Sequence, residues 1–249
     1  MSGRVERVFT QGHIRVPRKR RLSAPERWPV AIIWRRALKT HVDWASLLAL
    51  EAKSQAVIRA DEIAKKYNLS YGSVIAALTR QERRGLAEHV LRNIYLNKLA
   101  VGYTSRDFLA AIDPRSYISL DSALLEWGIS TQSPIGLTCL TTSKPRTIKS
   151  ASILIEFRKI SEDLFWGFVE RKSRYGLYKI AEAEKALLDW VYLGLKSGLP
   201  VQLDELQFQR LNIAKLLEIA KRFPRSVLDT VIPTVLEKCV TSQTALQKV

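Results

Sequence analysis

The sequence predicts an α+β protein of two domains behind a basic arm, and three observations predict it. At roughly 150 residues per domain, 249 residues suggest two modest folded units. Helical and strand-like periods follow one another over residues 44–96 and again after residue 106, where β-branched runs announce a sheet. The charge is concentrated at one end: Lys and Arg number 40 against 24 Asp and Glu, and residues 1–39 hold eleven of the cations against only Glu6 and Glu26. Apolar residues make up 47% of the chain and charged residues 26%, so both units can bury a core and wholesale disorder is excluded. The formal +16 points to a polyanionic partner, nucleic acid first.

The arm, residues 1–39, carries a net +9 and is interrupted by Pro17, Pro25 and Pro29, which discourage continuous helix. Its cluster Arg18, Lys19, Arg20 and Arg21 can follow a phosphate backbone or enter a minor groove. A solvated tail is the alternative. From residue 40 to 103 the elements read in order. Trp44, Leu47, Leu48 and Ala52 share one face of a first helix, and Ala56-Val57-Ile58 reads as a strand. A second helix runs through Ile63, Ala64 and Tyr67 to Asn68, a residue suited to a left-handed turn. Ser70 caps a third, whose Val74, Ile75 and Leu78 face the core and which stops at Gly85. Its opposite arc carries Gly72, Ser73, Ala76, Ala77, Arg80, Arg83 and Arg84: small residues that let a helix approach a groove, then guanidinium groups for phosphate or guanine edges. Residues 86–90 and 94–96 form a hairpin about Leu91-Arg92-Asn93. Helix, strand, helix, turn, helix, hairpin is the order of a winged helix-turn-helix, and a mixed α/β domain, residues 104–249, follows it. An ordinary helical unit with a solvated arginine face is the competing reading.

In that second domain a short helix over residues 107–112 ends at Asp113-Pro114, and Ser119 is placed to cap a helix running to Gly128. Strands are expected over residues 135–142, 153–157 and 164–170, with the basic turn Lys144-Pro145-Arg146 exposed between the first two. Over residues 181–193, Ala183, Ala186, Leu187, Trp190 and Val191 mark a core helix, with Glu182, Glu184, Lys185 and Asp189 ringing the rest of it. Two amphipathic helices follow, separated by Pro224.

Catalytic signatures are sparse. The chain has no phosphate-binding glycine loop, nucleophile elbow or HExxH zinc motif, and Cys139 and Cys239 lie far apart, without the companions of a zinc site or disulfide framework. Each cysteine reads as a small buried apolar residue in a reducing compartment. No apolar run approaches the ~18 residues of a membrane span and no secretory signal opens the chain, so a cytoplasmic protein without membrane attachment is expected. The one enzymatic alternative is a metal-dependent nuclease, with Asp163, Glu170 and Lys172, beside Arg171, as a two-carboxylate and lysine set.

Behind the winged-helix pattern stand the string Tyr117-Ile118-Ser119-Leu120-Asp121-Ser122-Ala123-Leu124 with Gly128, then Thr141-Thr142, then Ala183-Glu184-Lys185-Ala186-Leu187-Leu188-Asp189. In this order they resemble the AbiE-type antitoxins, first components of type IV (abortive infection) toxin–antitoxin systems, over about residues 40–195. The resemblance implies a repressor of its own operon that binds repeated operator sequences in double-stranded DNA, a C-terminal domain that counters a nucleotidyltransferase-like toxin, and no enzymatic activity or cofactor. The DNA-contacting candidates are Arg18, Lys19, Arg20, Arg21, Ser70, Tyr71, Ser73, Arg80, Arg83, Arg84 and Arg92.

Overall fold

A computed structural model describes residues 42–198 and 203–246; the basic arm, with residues 18–21, lies outside them. Asp43 accepts hydrogen bonds from the Ala45 and Ser46 amides and so starts helix α1, Trp44–Glu51, which turns Leu47 and Leu48 inward. Strand β1, Val57–Arg59, leads directly into α2, Ala60–Tyr67. Asn68 adopts the left-handed conformation, φ 52° and ψ 47°, and ends that helix. After Ser70 comes α3, Tyr71–Arg83, then the hairpin β2, Ala87–Leu91, and β3, Ile94–Asn97. The three strands form an antiparallel sheet in the order β1-β3-β2. Buried Glu51 cross-ties α1 to α2: Lys66 donates to it at 2.6 Å and the Tyr67 hydroxyl donates as well.

The rest of the described chain is built on a six-stranded mixed sheet. After a 3-10 turn, Ser105–Phe108, and the short α4, Leu109–Ile112, strand β4, Ser116–Ile118, enters helix α5, Leu120–Glu126. Strands β5, Leu137–Thr141, β6, Arg146–Lys149, β7, Leu154–Lys159, β8, Phe168–Lys172, and β9, Leu177–Ala181, follow in sequence. Their spatial order is β6-β7-β5-β4-β9-β8, with β5/β7 and β4/β9 parallel and the other pairs antiparallel. Helices α6, Ala183–Lys196, α7, Ile213–Ala220, and α8, Arg225–Leu246, complete it, and Pro224 stands between the last two. The protein is thus α+β.

Buried apolar side chains fall in two clusters, and the small sheet belongs to both. Ile58, Ala87 and Tyr95 pack with α1, α2 and α3, whereas Ala56, Val90, Ile94 and Leu96 pack with the core of the larger sheet. Period-two alternation puts neighbouring residues of β3 into different cores. Polar clasps reinforce the seam. Glu88 of β2 accepts from the Ser152 amide at 2.9 Å and hydroxyl at 2.6 Å, and Lys98 lies 3.5 Å away. Burial works to raise the Glu88 carboxyl, and the Ser152 donors with the Lys98 ammonium outweigh it and hold it below its ordinary range. The Tyr175 hydroxyl grips the connecting segment by accepting from Val101 N at 3.1 Å and donating to Val101 O at 2.8 Å.

Several expectations are corrected. Glu184, Lys185 and Asp189, placed by the sequence around the rest of α6 outside its apolar face, are themselves buried. Lys185 pairs with Asp189 one helical turn away and donates to the Tyr117 hydroxyl at 3.0 Å. Asp189 also accepts from Ser119 at 2.9 Å and Tyr117 at 3.1 Å. The ammonium sits 5.1–5.3 Å from the ring centres of Tyr117, Trp166 and Phe223. Burial pushes Lys185 down and Asp189 up from their ordinary values, and raises Tyr117. Ser119 occupies the cap position of α5, but its hydroxyl goes to Asp189 instead of the helix. Leu120 beside it holds φ 56°, a left-handed conformation costing roughly 1–3 kcal/mol in a branched residue. The two strings that carry the family resemblance therefore meet in one buried polar knot. Ile135 lies in a loop, 98% exposed, instead of in a strand; residues 162–164 form a 3-10 turn before β8; and Ala77 is buried.

Candidate nucleic-acid interface

Helix α3 is anchored from below. Val74, Ala77, Leu78 and Gln81 are buried, so Gly72, Ser73, Ala76, Arg80 and Arg83 stand outward along its length. At the N-terminus the Ser70 hydroxyl accepts from Ser73 N at 3.2 Å and lies 2.7 Å from the Ser73 hydroxyl. Thr79 turns its hydroxyl to Ile75 O at 3.0 Å. Three hydroxyls near the open face are thus engaged within the helix, and Tyr71, 43% exposed, brings a phenol to its first turn.

The cationic groups fall later. Arg80, Arg83 and the capping Arg84 are exposed over the last turn, where they also complement the helix dipole. Arg84 contributes a minor electrostatic pull on Asp43, whose carboxyl is lowered chiefly by the Ser46 hydroxyl. Glu82 is the single acid of α3, and it accepts from His89 N at 3.0 Å on the adjoining strand. Arg92 is exposed at the hairpin turn. That turn is pinned: Asn93 accepts from Asp61 N at 3.1 Å and donates its amide to the Asp61 carboxylate, which this bond chiefly holds below its usual range. Arg59 stands 3.6 Å from Asp61 and 3.3 Å from Glu62. Every described DNA-contacting candidate (Ser70, Tyr71, Ser73, Arg80, Arg83, Arg84 and Arg92) is exposed and belongs to α3, its cap or the hairpin turn. The Asp61–Asn93 bond that positions Arg92 spans 32 residues, and no local pattern announces it.

The other candidates are scattered. Arg146 is held by buried Asp113 at 2.9 Å and lies 4.6 Å over the Phe157 ring, so it braces the sheet, while Lys144 is exposed. Asp163 lies in the turn before β8; Glu170 and Lys172 share one face of that strand, and Arg171 pairs with Glu126 at 2.8 Å and stacks on Trp127. Among the described residues no three His, Cys, Asp or Glu side chains gather as a metal site. Cys139 is buried in β5, where burial pushes its thiol up. No described helix is long and apolar enough to cross a membrane. Comparison with protein-family models and with curated proteins returned no match.

Proposed function

We propose that the chain is a DNA-binding transcriptional regulator whose residues 40–103 act as a winged helix-turn-helix, α3 entering the major groove and the β2–β3 turn touching the adjacent backbone. The observation that carries this reading is the outward face of α3. Its first turns present Gly72, Ser73 and Ala76 beside the exposed phenol of Tyr71, its last turn presents Arg80, Arg83 and Arg84, and Arg92 stands on a turn fixed to α2. Small residues permit close approach, and arginine supplies paired donors to guanine edges or phosphates. The basic arm adds affinity through phosphate neutralisation.

The resemblance of the two strings to AbiE-type antitoxins supports a narrower role: autorepressor and antitoxin of a type IV operon, opposing a nucleotidyltransferase-like toxin. That role rests on resemblance, whereas DNA binding also rests on the outward face of α3. Fluorescence anisotropy with duplexes from the region upstream of the gene tests the first part. Replacing Arg80, Arg83 and Arg84 by Ala should cost about 1–3 kcal/mol for each base edge or close phosphate that one of these arginines holds. Wild-type affinity in the triple variant overturns the placement of α3. Rescue of growth when the chain is co-expressed with the neighbouring reading frame tests the antitoxin role separately.

A further inference from the structure

We propose that the cleft at the amino ends of β5 and β7 binds an organic anion with an apolar body, independently of the DNA reading. The cleft is open to solvent and offers about 610 Å³, within the roughly 300–1,000 Å³ usual for small-molecule sites. Leu125 and Leu154 supply apolar wall, and Ile135 stands at the lip almost wholly in water. An apolar side chain so exposed gains by covering a ligand. The charge on the lining has one sign: Arg106 and Lys149 are its charged residues, and no Asp or Glu lines it. Lys149 is exposed, and among the described residues no acid lies within ion-pair distance of it. Arg106 reaches Glu126 through one terminal nitrogen at 2.7 Å. An unneutralised ammonium above an apolar wall selects a carboxylate or phosphate carried on a hydrophobic group.

The site is formed in advance. At Gly136 a Cβ would stand 2.7 Å from Leu154 Cγ and 2.9 Å from its carbonyl oxygen, so only glycine lets these segments approach so closely. The adjoining turn over residues 150–153 is fixed where Ser150 N donates to Ile153 O at 2.8 Å and where Ser152 binds Glu88. A preformed wall lowers the ordering cost of binding.

The test uses the full-length ¹⁵N-labelled chain with 2-naphthoate as probe and neutral 2-naphthamide as its control. Naphthoate should move the amide resonances of residues 135–137 and 149–154, and naphthamide should bind about tenfold more weakly, the worth of one charge-assisted hydrogen bond. Lys149→Gln, at an exposed position, should erase that difference, while Ile135→Ser should weaken acid and amide alike. Resonance changes confined to other regions, no binding of naphthoate, or equal affinity for acid and amide in the wild-type chain would overturn the proposal.

Discussion

Replacing Lys185 by Met should remove a large share of the stability of the fold. Met matches the stem length and leaves the three rings packed, so the perturbation is the loss of one charge. Asp189 then remains fully buried with only the Ser119 and Tyr117 hydroxyls as donors. Breaking a buried pair from one side costs about 3–5 kcal/mol, against a total stability of roughly 5–15 kcal/mol. Removing both charges with Lys185→Met/Asp189→Leu ends the desolvation of the pair but strands two hydroxyls at about 1–3 kcal/mol each. The double variant should therefore cost clearly less than the sum of the two single ones. Urea unfolding followed by circular dichroism gives these values directly. The pH dependence supplies a second check. In Lys185→Met the carboxyl value in the folded state lies above its unfolded value, so the stability tied to its proton is present at acid pH and lost as pH rises. The single variant should accordingly be closer to the parent at pH ~5 than at pH ~8. Additive single costs, or single variants within about 1 kcal/mol of the parent, would refute the account of the knot.

Two further outcomes are expected. Nothing lies within 4 Å of a Cβ built on Gly72, so Gly72→Ala should keep or slightly raise the melting temperature, yet weaken duplex binding in anisotropy titrations if α3 seats closely in the groove. Unchanged binding would argue against close approach at that turn. Glu88→Gln replaces charge-assisted bonds to Ser152 by neutral ones and should cost about 1–2 kcal/mol near neutral pH. Because the folded Glu88 carboxyl lies below its ordinary range, this contribution is present above the unfolded value of about 4.3 and fades as pH falls through the folded one. Thermal melts of parent and variant should converge in acid, and a constant gap would refute the clasp.

Where periodicity and local chemistry agree, the sequence was readable. Leu47 and Leu48 inward, Asn68 left-handed, Ser70 as a cap and the hairpin about Arg92 follow from spacing and turn preference alone. Strands β6 and β9 escaped because RTIK and LYKIA are only four and five residues long and neither alternates polar with apolar residues, the pattern that marks a half-buried strand. The polar positions of α6 misled for a physical reason. Charge on a helix reads as solvated surface, and nothing local to Lys185 or Asp189 shows that Tyr117 and Ser119, some seventy residues earlier, complete their hydrogen bonds. Of the candidate interface, the residue types on α3 and the Ser70 cap were legible, but the engagement of the Ser73 and Thr79 hydroxyls within the helix was not.

The doubly buried small sheet bears on how this chain can be rearranged. Ala56, Val90, Ile94 and Leu96 are interior only while the larger sheet covers them. A fragment cut after residue 103 would display an apolar strip on the back of its hairpin, a surface that invites self-association. Grafting the α1–β3 unit onto another protein would require recolouring those four positions with polar residues, whereas exchanging residues on the outward face of α3 would leave both interiors untouched. The outward face of α3 is thus open to point change, while the unit that carries it resists transfer by recombination.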